Sequence, residues 1–226
     1  GLLRHKALVD SVRAADEHVV AVHAGDAVQG TVYFSMFKGA VEYAMHDSIG
    51  YDYCIVGNHE FDNHINDLAK YTTSLKAKLL SSNYDFTSTP LDGRFSPYDI
   101  RHYGDKKIAF IGINLNPEGM IAVKNIGGLV YNDASEVALR LSEYLKTTGM
   151  ADYVVMISHI GYKSEYYDTD VAIVNESRYI DLVIGGHSHT LIESDNKKLH
   201  LVKNADGREI PIVQAGKSGK YMCKVY

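Results

Sequence analysis

Residues 51–62 read YDYCIVGNHEFD. The first half reads as a strand over 52–56, with the length and the aromatic and β-branched character of a buried one. The run stops at Gly57 and gives way at once to the polar cluster Asn58-His59-Glu60-Phe61-Asp62, in which Asn58, His59 and Asp62 can serve metal or proton chemistry. Strand, glycine, polar cluster is the layout of an α/β sheet, where ligands gather beyond the carboxyl ends of the strands.

Outward from this stretch the same layout recurs three times. Residues 18–24, HVVAVHA, read as a buried strand ending at Gly25-Asp26. Residues 152–157 read as a strand ending at Ser158-His159, and residues 181–184 as one ending at Gly185-Gly186-His187-Ser188-His189. Helical patterns fill the intervals at about 34–48, 64–77, 133–147 and 170–178. A short strand is expected near 79–82, a hairpin over 98–113 with its turn at Gly104-Asp105, and a long loop over 114–132. The tail offers strand candidates around 204–207, then at 212–215 and 221–226. The opening GLLRHKALVDSV reads as a helix already under way, without a recognisable cap. No repeat, low-complexity tract or linker divides the chain, so residues 1–226 are expected to form a single α/β domain. If the four strands are neighbours, Asp26, Asn58, His159, His187 and His189 converge on one place.

Composition narrows the function classes. The chain has 226 residues, 23 Lys and Arg against 28 Asp and Glu, and a net charge of −5. Nothing there argues for a nucleic acid polymer as partner. No run approaches the roughly 18 apolar residues needed to span a membrane. An acidic protein that handles phosphate needs local positive charge, and bound divalent cations are one source. Of the two cysteines, Cys54 lies in the apolar run and reads as a buried free thiol.

Each candidate has an ordinary reading when taken alone. Gly25-Asp26 is a common turn pair. Asn58 and Asp62 suit the start of a helix. His159 could be a satisfied core histidine, and His187-Ser188-His189 an exposed turn. Their shared position after four separate strands argues against coincidence. As chemistry, Asp26 offers a carboxylate that can bridge two cations, Asn58 a carbonyl oxygen, and His159, His187 and His189 imidazole nitrogens. His59 can face a substrate while Asp62, three residues on, orients its ring. Mixed nitrogen and oxygen donors speak against a structural zinc site rich in cysteine and for a catalytic pair such as Mn, Zn, Fe, Co or Mg. Two such ions roughly 3.5–4 Å apart can activate a bridging water and clamp a phosphoryl oxygen. The other seven histidines lack this context, and only His23, three residues before Asp26, stands near it.

Taken in order, GD, GNHEFD, SHIG and GGHSHT resemble the calcineurin-like metallophosphoesterases. GDAVQGTVYF with GNHEFD and GGHSHT is similar to the 5′-nucleotidase group, which includes periplasmic UDP-sugar hydrolases, and the likeness runs to the ending VQAGKSGKY. The resemblance implies a four-layer α/β/β/α sandwich and hydrolysis of nucleotides or related small phosphate esters. By motif position Asp26 would bridge two divalent ions. Asn58, His159 and His187 would complete one ion's shell, and His189, a position often Gln in relatives, would serve the other. His59, backed by Asp62, would stabilise the transition state or protonate the leaving alkoxide. Within the superfamily the resemblance also admits a cyclic nucleotide phosphodiesterase, a UDP-sugar hydrolase or a thiosulfate-ester hydrolase. It further implies export, to the periplasm or cell surface.

Two departures qualify it. The family begins with a strand ending in D-x-H, which supplies an Asp and a His to the first metal, and no such segment precedes Gly1. One metal site is therefore expected to be incomplete, with an unpaired strand edge beside it. Relatives also often carry a C-terminal nucleoside-binding domain, so a separate domain or subunit is an expected partner. The alternative of another class is a non-catalytic metal-binding or interaction module.

Overall fold

Along the strand Tyr153–His159, alternate residues enter two different cores. Val154 and Met156 pack with the helices behind the strand, whereas Val155 and Ile157 pack against a second sheet. A strand apolar on both faces is one buried on both faces, and this period-2 split gives the fold its layers. The computed structural model describes residues 1–165, 168–193, 195 and 200–226.

The described elements run in the order α1 (Leu2–Ala15), β1 (Val22–Ala24), α2 (Val32–Phe37), α3 (Ala40–Ile49) and β2 (Tyr53–Ile55). A 3₁₀ turn (His59–Phe61), α4 (Ile65–Thr72), β3 (Lys78–Leu80), β4 (Tyr84–Asp85) and β5 (Phe95–Ser96) follow. Then come β6 (Tyr98–Tyr103), β7 (Lys106–Asn114), α5 (Val123–Ile126), β8 (Val130–Tyr131) and α6 (Ala134–Thr147). The chain continues with β9 (Tyr153–His159), α7 (Asp170–Glu176), β10 (Leu182–Ile184), β11 (Leu201–Lys203) and β12 (Glu209–Val213).

The first sheet is parallel throughout, in the order β1-β2-β3-β5. The second runs β11-β12-β10-β9-β7-β6, parallel at its centre from β12 to β7 and antiparallel at both edges. Between the sheets lie Tyr53, Ile55, Leu80, Phe110, Val155 and Ile157. Outside the first sheet, Val9 of α1 and Ile49 of α3 cover Cys54 and Leu79. Outside the second, Ala138 and Leu145 of α6 and Ile173 and Val174 of α7 cover Ile111, Met156 and Val183. The layers are thus α/β/β/α, the sandwich that the resemblance implies. His23 and His46 stack at 4.4 Å between ring centroids in the helix-to-sheet layer, with Tyr51 edge-on to both. His46 Nδ1 lies 3.8 Å from Cys54 Sγ.

Local chemistry sets the helix ends. The Thr31 hydroxyl accepts from the N–H of Phe34 and Asp133 accepts from that of Glu136, each an N-cap bond. The expected helix over 34–48 is instead two. It breaks at Lys38-Gly39, where φ is +53° and +109°, because consecutive left-handed residues cannot continue a right-handed helix. The loop expected over 114–132 contains α5 and β8, and the strand expected at 221–226 does not form.

One difference bears on the site. The four ligand-bearing strands are not neighbours in one sheet. β1 and β2 pair in the first sheet, β9 and β10 in the second. Their carboxyl ends meet across the seam between the sheets. β1 pairs only with β2 among the described residues, and Val22 and Ala24 line a cavity of about 240 Å³ that reaches Asp26, His159, His187 and His189.

Candidate metal centre

Asp26 stands two residues beyond β1, Asn58 follows β2, His159 ends β9, and His187 and His189 follow β10. Asp26, His159 and His187 come together, with one candidate ligand atom from each within 4.8 Å of the others. Asn58 joins them, its Oδ1 lying 3.1 Å from His187 Nδ1. His189 lines the same cavity but stands outside the group of three. His23 lines the cavity as well, while its ring stacks on His46.

The His159 ring is oriented by a backbone carbonyl at the end of β1, in the other sheet. Nδ1–H donates to the carbonyl of Ala24 at 2.6 Å, which leaves Nε2 as the nitrogen turned toward Asp26. Nε2 approaches Asp26 Oδ2 at 3.0 Å, yet without the alignment of a directed hydrogen bond. Nε2 thus faces a carboxylate in a buried site with no directed hydrogen-bond partner of its own. A ring nitrogen and a carboxylate oxygen at this distance in a buried site require a cation between them, a proton or a metal. The donor set fits a metal on this observation. Burial pushes the Asp26 carboxyl up, but His159 and the His59 N–H outweigh it and hold the group at about 2. Burial lowers His159, and the Asp26 carboxylate more than reverses this, so its net shift is upward. His187 drops to about 4, first from burial and then from the nearby His159, which keeps its ring in the neutral form that can ligate a cation.

Gly57 and Gly186, along with Gly25, make room for His159. A Cβ on Gly57 would stand 2.5 Å from His159 Nε2 and press on Asp26 Oδ1. A Cβ on Gly186 would stand 2.6 Å from the Ala24 carbonyl and 2.8 Å from His159 Nδ1. These glycines serve close approach of the chain to one ring.

Glu60 ties the two loops of the first sheet together. It is buried and accepts from the backbone N–H groups of Asp26 (3.0 Å), Ala27 (2.6 Å) and Gly57 (2.5 Å). These bonds hold Asp26 at φ +54°, where few non-glycine residues sit. Asp26 Oδ1 in turn accepts from the His59 N–H at 3.0 Å. His59 Nδ1 and Asp62 Oδ2 lie 2.9 Å apart, the pairing expected from their spacing. The His59 side chain is about one-third exposed at 32%, whereas His159 and Asp26 are largely covered. Sequence reasoning quoted Glu60 only as part of its cluster. Its role appears in backbone bonds, and only the spacing Gly57-x-x-Glu60 hinted at it.

The sequence matches the Calcineurin-like phosphoesterase family over residues 3–191. It is 29% identical to the 5′-nucleotidase of Bos taurus over 98% of this chain and 40% of that protein. Among solved structures it resembles the 5′-nucleotidase precursor from Thermus thermophilus, with a TM-score of 0.83 and 30% identity over 96% of this chain and 43% of that one. It also resembles the NAD nucleotidase of Haemophilus influenzae, with a TM-score of 0.82 and 28% identity over 93% and 43% of the two chains. The chain therefore spans about two-fifths of the length of these relatives. No described helix is long and apolar enough to cross a membrane.

Proposed function

The chain belongs to the calcineurin-like phosphoesterase family, related to the 5′-nucleotidases, and on that premise we propose that it carries the phosphate-ester chemistry of a two-metal nucleotide hydrolase. The observation that supports this most is the buried His159 Nε2, which faces the Asp26 carboxylate at 3.0 Å without a directed hydrogen bond. Asp26, Asn58, His159 and His187 would hold one divalent ion. Asp26 and His189 would reach a second, whose remaining ligands would come from solvent, substrate or a segment beyond these residues. Bound ions would offset the charge of a phosphate and supply a nucleophilic water at neutral pH.

The protein's own groups supply the rest. Asp62 accepts from His59 Nδ1–H, so His59 Nε2 is the outward nitrogen and can pass a proton to the leaving oxygen. The His59 N–H fixes Asp26 Oδ1, so the proton donor and the ligand shell form one rigid unit. Residues 1–226 are read as a single metallophosphoesterase unit, with nucleoside recognition contributed by another domain or subunit. Export to the periplasm or cell surface is read from the relatives.

His59→Ala in the full natural chain should cut phosphate release roughly 10²–10⁴-fold while metal content, measured by elemental analysis, stays at the wild-type level. Unchanged turnover would remove His59 from the mechanism. A panel of nucleoside monophosphates, UDP-sugars, cyclic nucleotides and NAD, assayed with manganese and with zinc, separates the substrate classes. Activity that persists after chelation and desalting would sink the metal reading.

A further inference from the structure

Gln214 follows β12 and is 2% exposed. Its side chain spends all its hydrogen bonds on the loop after β10. Oε1 accepts from the Thr190 N–H at 2.5 Å and from the Ser188 hydroxyl at 3.0 Å. Nε2 donates to the Gly186 carbonyl at 2.9 Å. The amide has one orientation only, because an N–H can only donate and a carbonyl can only accept. Ser188 Oγ also accepts from the Tyr162 N–H at 2.9 Å, which joins the end of β9 to the same knot.

The bracketed residues are His187 and His189, with φ of +73° and +57°. Neither is glycine, and each left-handed residue costs roughly 1–2 kcal/mol. Such a conformation persists only where the surroundings over-determine it. Gln214 bonds the chain before His187, between the two histidines and after His189.

We infer that Gln214 is a positioning residue for the centre. It holds the loop in the strained form that aims His187 at Asp26 and His159 and turns His189 toward the same cavity, without itself being a ligand. This rests on the metal reading of the site. Side chains that orient ligands typically alter metal affinity by roughly 10–100-fold when removed, and that range is the expected effect.

The test compares the wild-type chain with Gln214→Ala, Gln214→Glu and Ile212→Ala. Ile212 is buried in β12 and faces the helix-side core, so its truncation weakens the same strand without touching the loop. Manganese affinity is measured by calorimetry well below each unfolding midpoint. Gln214→Ala should bind roughly 10–100-fold more weakly. Gln214→Glu keeps the acceptor and loses the donor to Gly186, so it should fall between. Ile212→Ala should bind as wild type does despite a lower melting temperature. A second readout needs no metal: the ring resonances of His187 and His189 in apoprotein should shift in Gln214→Ala and hold in Ile212→Ala. Wild-type affinity and unshifted rings in Gln214→Ala would overturn the role. Weakened binding in Ile212→Ala equal to that in Gln214→Ala would also overturn it, since general loosening would then suffice. A wild-type chain that binds no manganese would overturn the metal reading, whereas the ring shifts would still decide whether Gln214 sets the loop.

Discussion

Gly57 bears the site's tightest approach to His159 and Asp26, so it offers a clean substitution. Its backbone φ is outside the left-handed region, and only space forbids a side chain there. Gly57→Ala should leave the fold intact and displace either His159 or Asp26. Titration of manganese should show at least a roughly tenfold loss of affinity, and wild-type affinity would mean the two side chains are not joint ligands. At this scale much was legible in advance. Asp26, Asn58, His159, His187 and His189 each follow a strand, and His59 and Asp62 are spaced for a local pair. Glu60 and Gln214 were not legible as site residues. Their partners are backbone groups of other loops, and no spacing in the chain announces a bond from residue 214 to residue 190.

Elements were legible where one periodicity ran unbroken. The helix expected over 133–147 forms over Ala134–Thr147, and its cap explains the start. Asp133 accepts from the Glu136 N–H at 2.8 Å, and Glu136 adds negative charge to the first turn. Asp133→Ala should therefore cost about 1 kcal/mol, read as a shift in the urea midpoint with unchanged metal affinity. Asp133→Ser should recover most of it. The break at Lys38-Gly39 escaped because lysine carries no warning of a left-handed backbone. The tail from 221 to 226, YMCKVY, is apolar except at Lys224 but finds no partner strand among the described residues, and a strand without a ladder has no hydrogen bonds to offset its ordering.

The division into two sheets belongs to the whole molecule. Nothing in single strands tells which sheet each joins, because a strand apolar on both faces suits either. The layer between α1, α3 and the first sheet carries a further consequence. His46 is held at about 4 by burial, and next by the positive field of His5. Burial also lowers His23, its stacking partner, with His46 next. A histidine depressed in the folded state binds its proton first in the unfolded chain. Stability then falls as pH drops from 6.5 toward 4 and levels off below, with His46 contributing on the order of 3 kcal/mol. Glu60 and Asp170 act in the opposite sense, since burial raises both carboxyls to about 7 and their contribution is lost as pH rises through that value. Comparing wild type with His46→Asn isolates the histidine. The variant should lose distinctly less stability between about pH 7.5 and 4.5 in urea titrations, and parallel losses would refute the assignment.

Asp26, His187 and His189 share a left-handed backbone that side chains resist. Part of the chain's tension therefore sits where its chemistry does, alongside left-handed residues elsewhere such as Lys38 and His64, and endurance and readiness are set against each other at that spot. His189→Gly should relieve one strained residue and stabilise the metal-free protein by up to about 1 kcal/mol, seen as a small rise in melting temperature. A sturdier molecule with a poorer centre is the exchange this backbone implies.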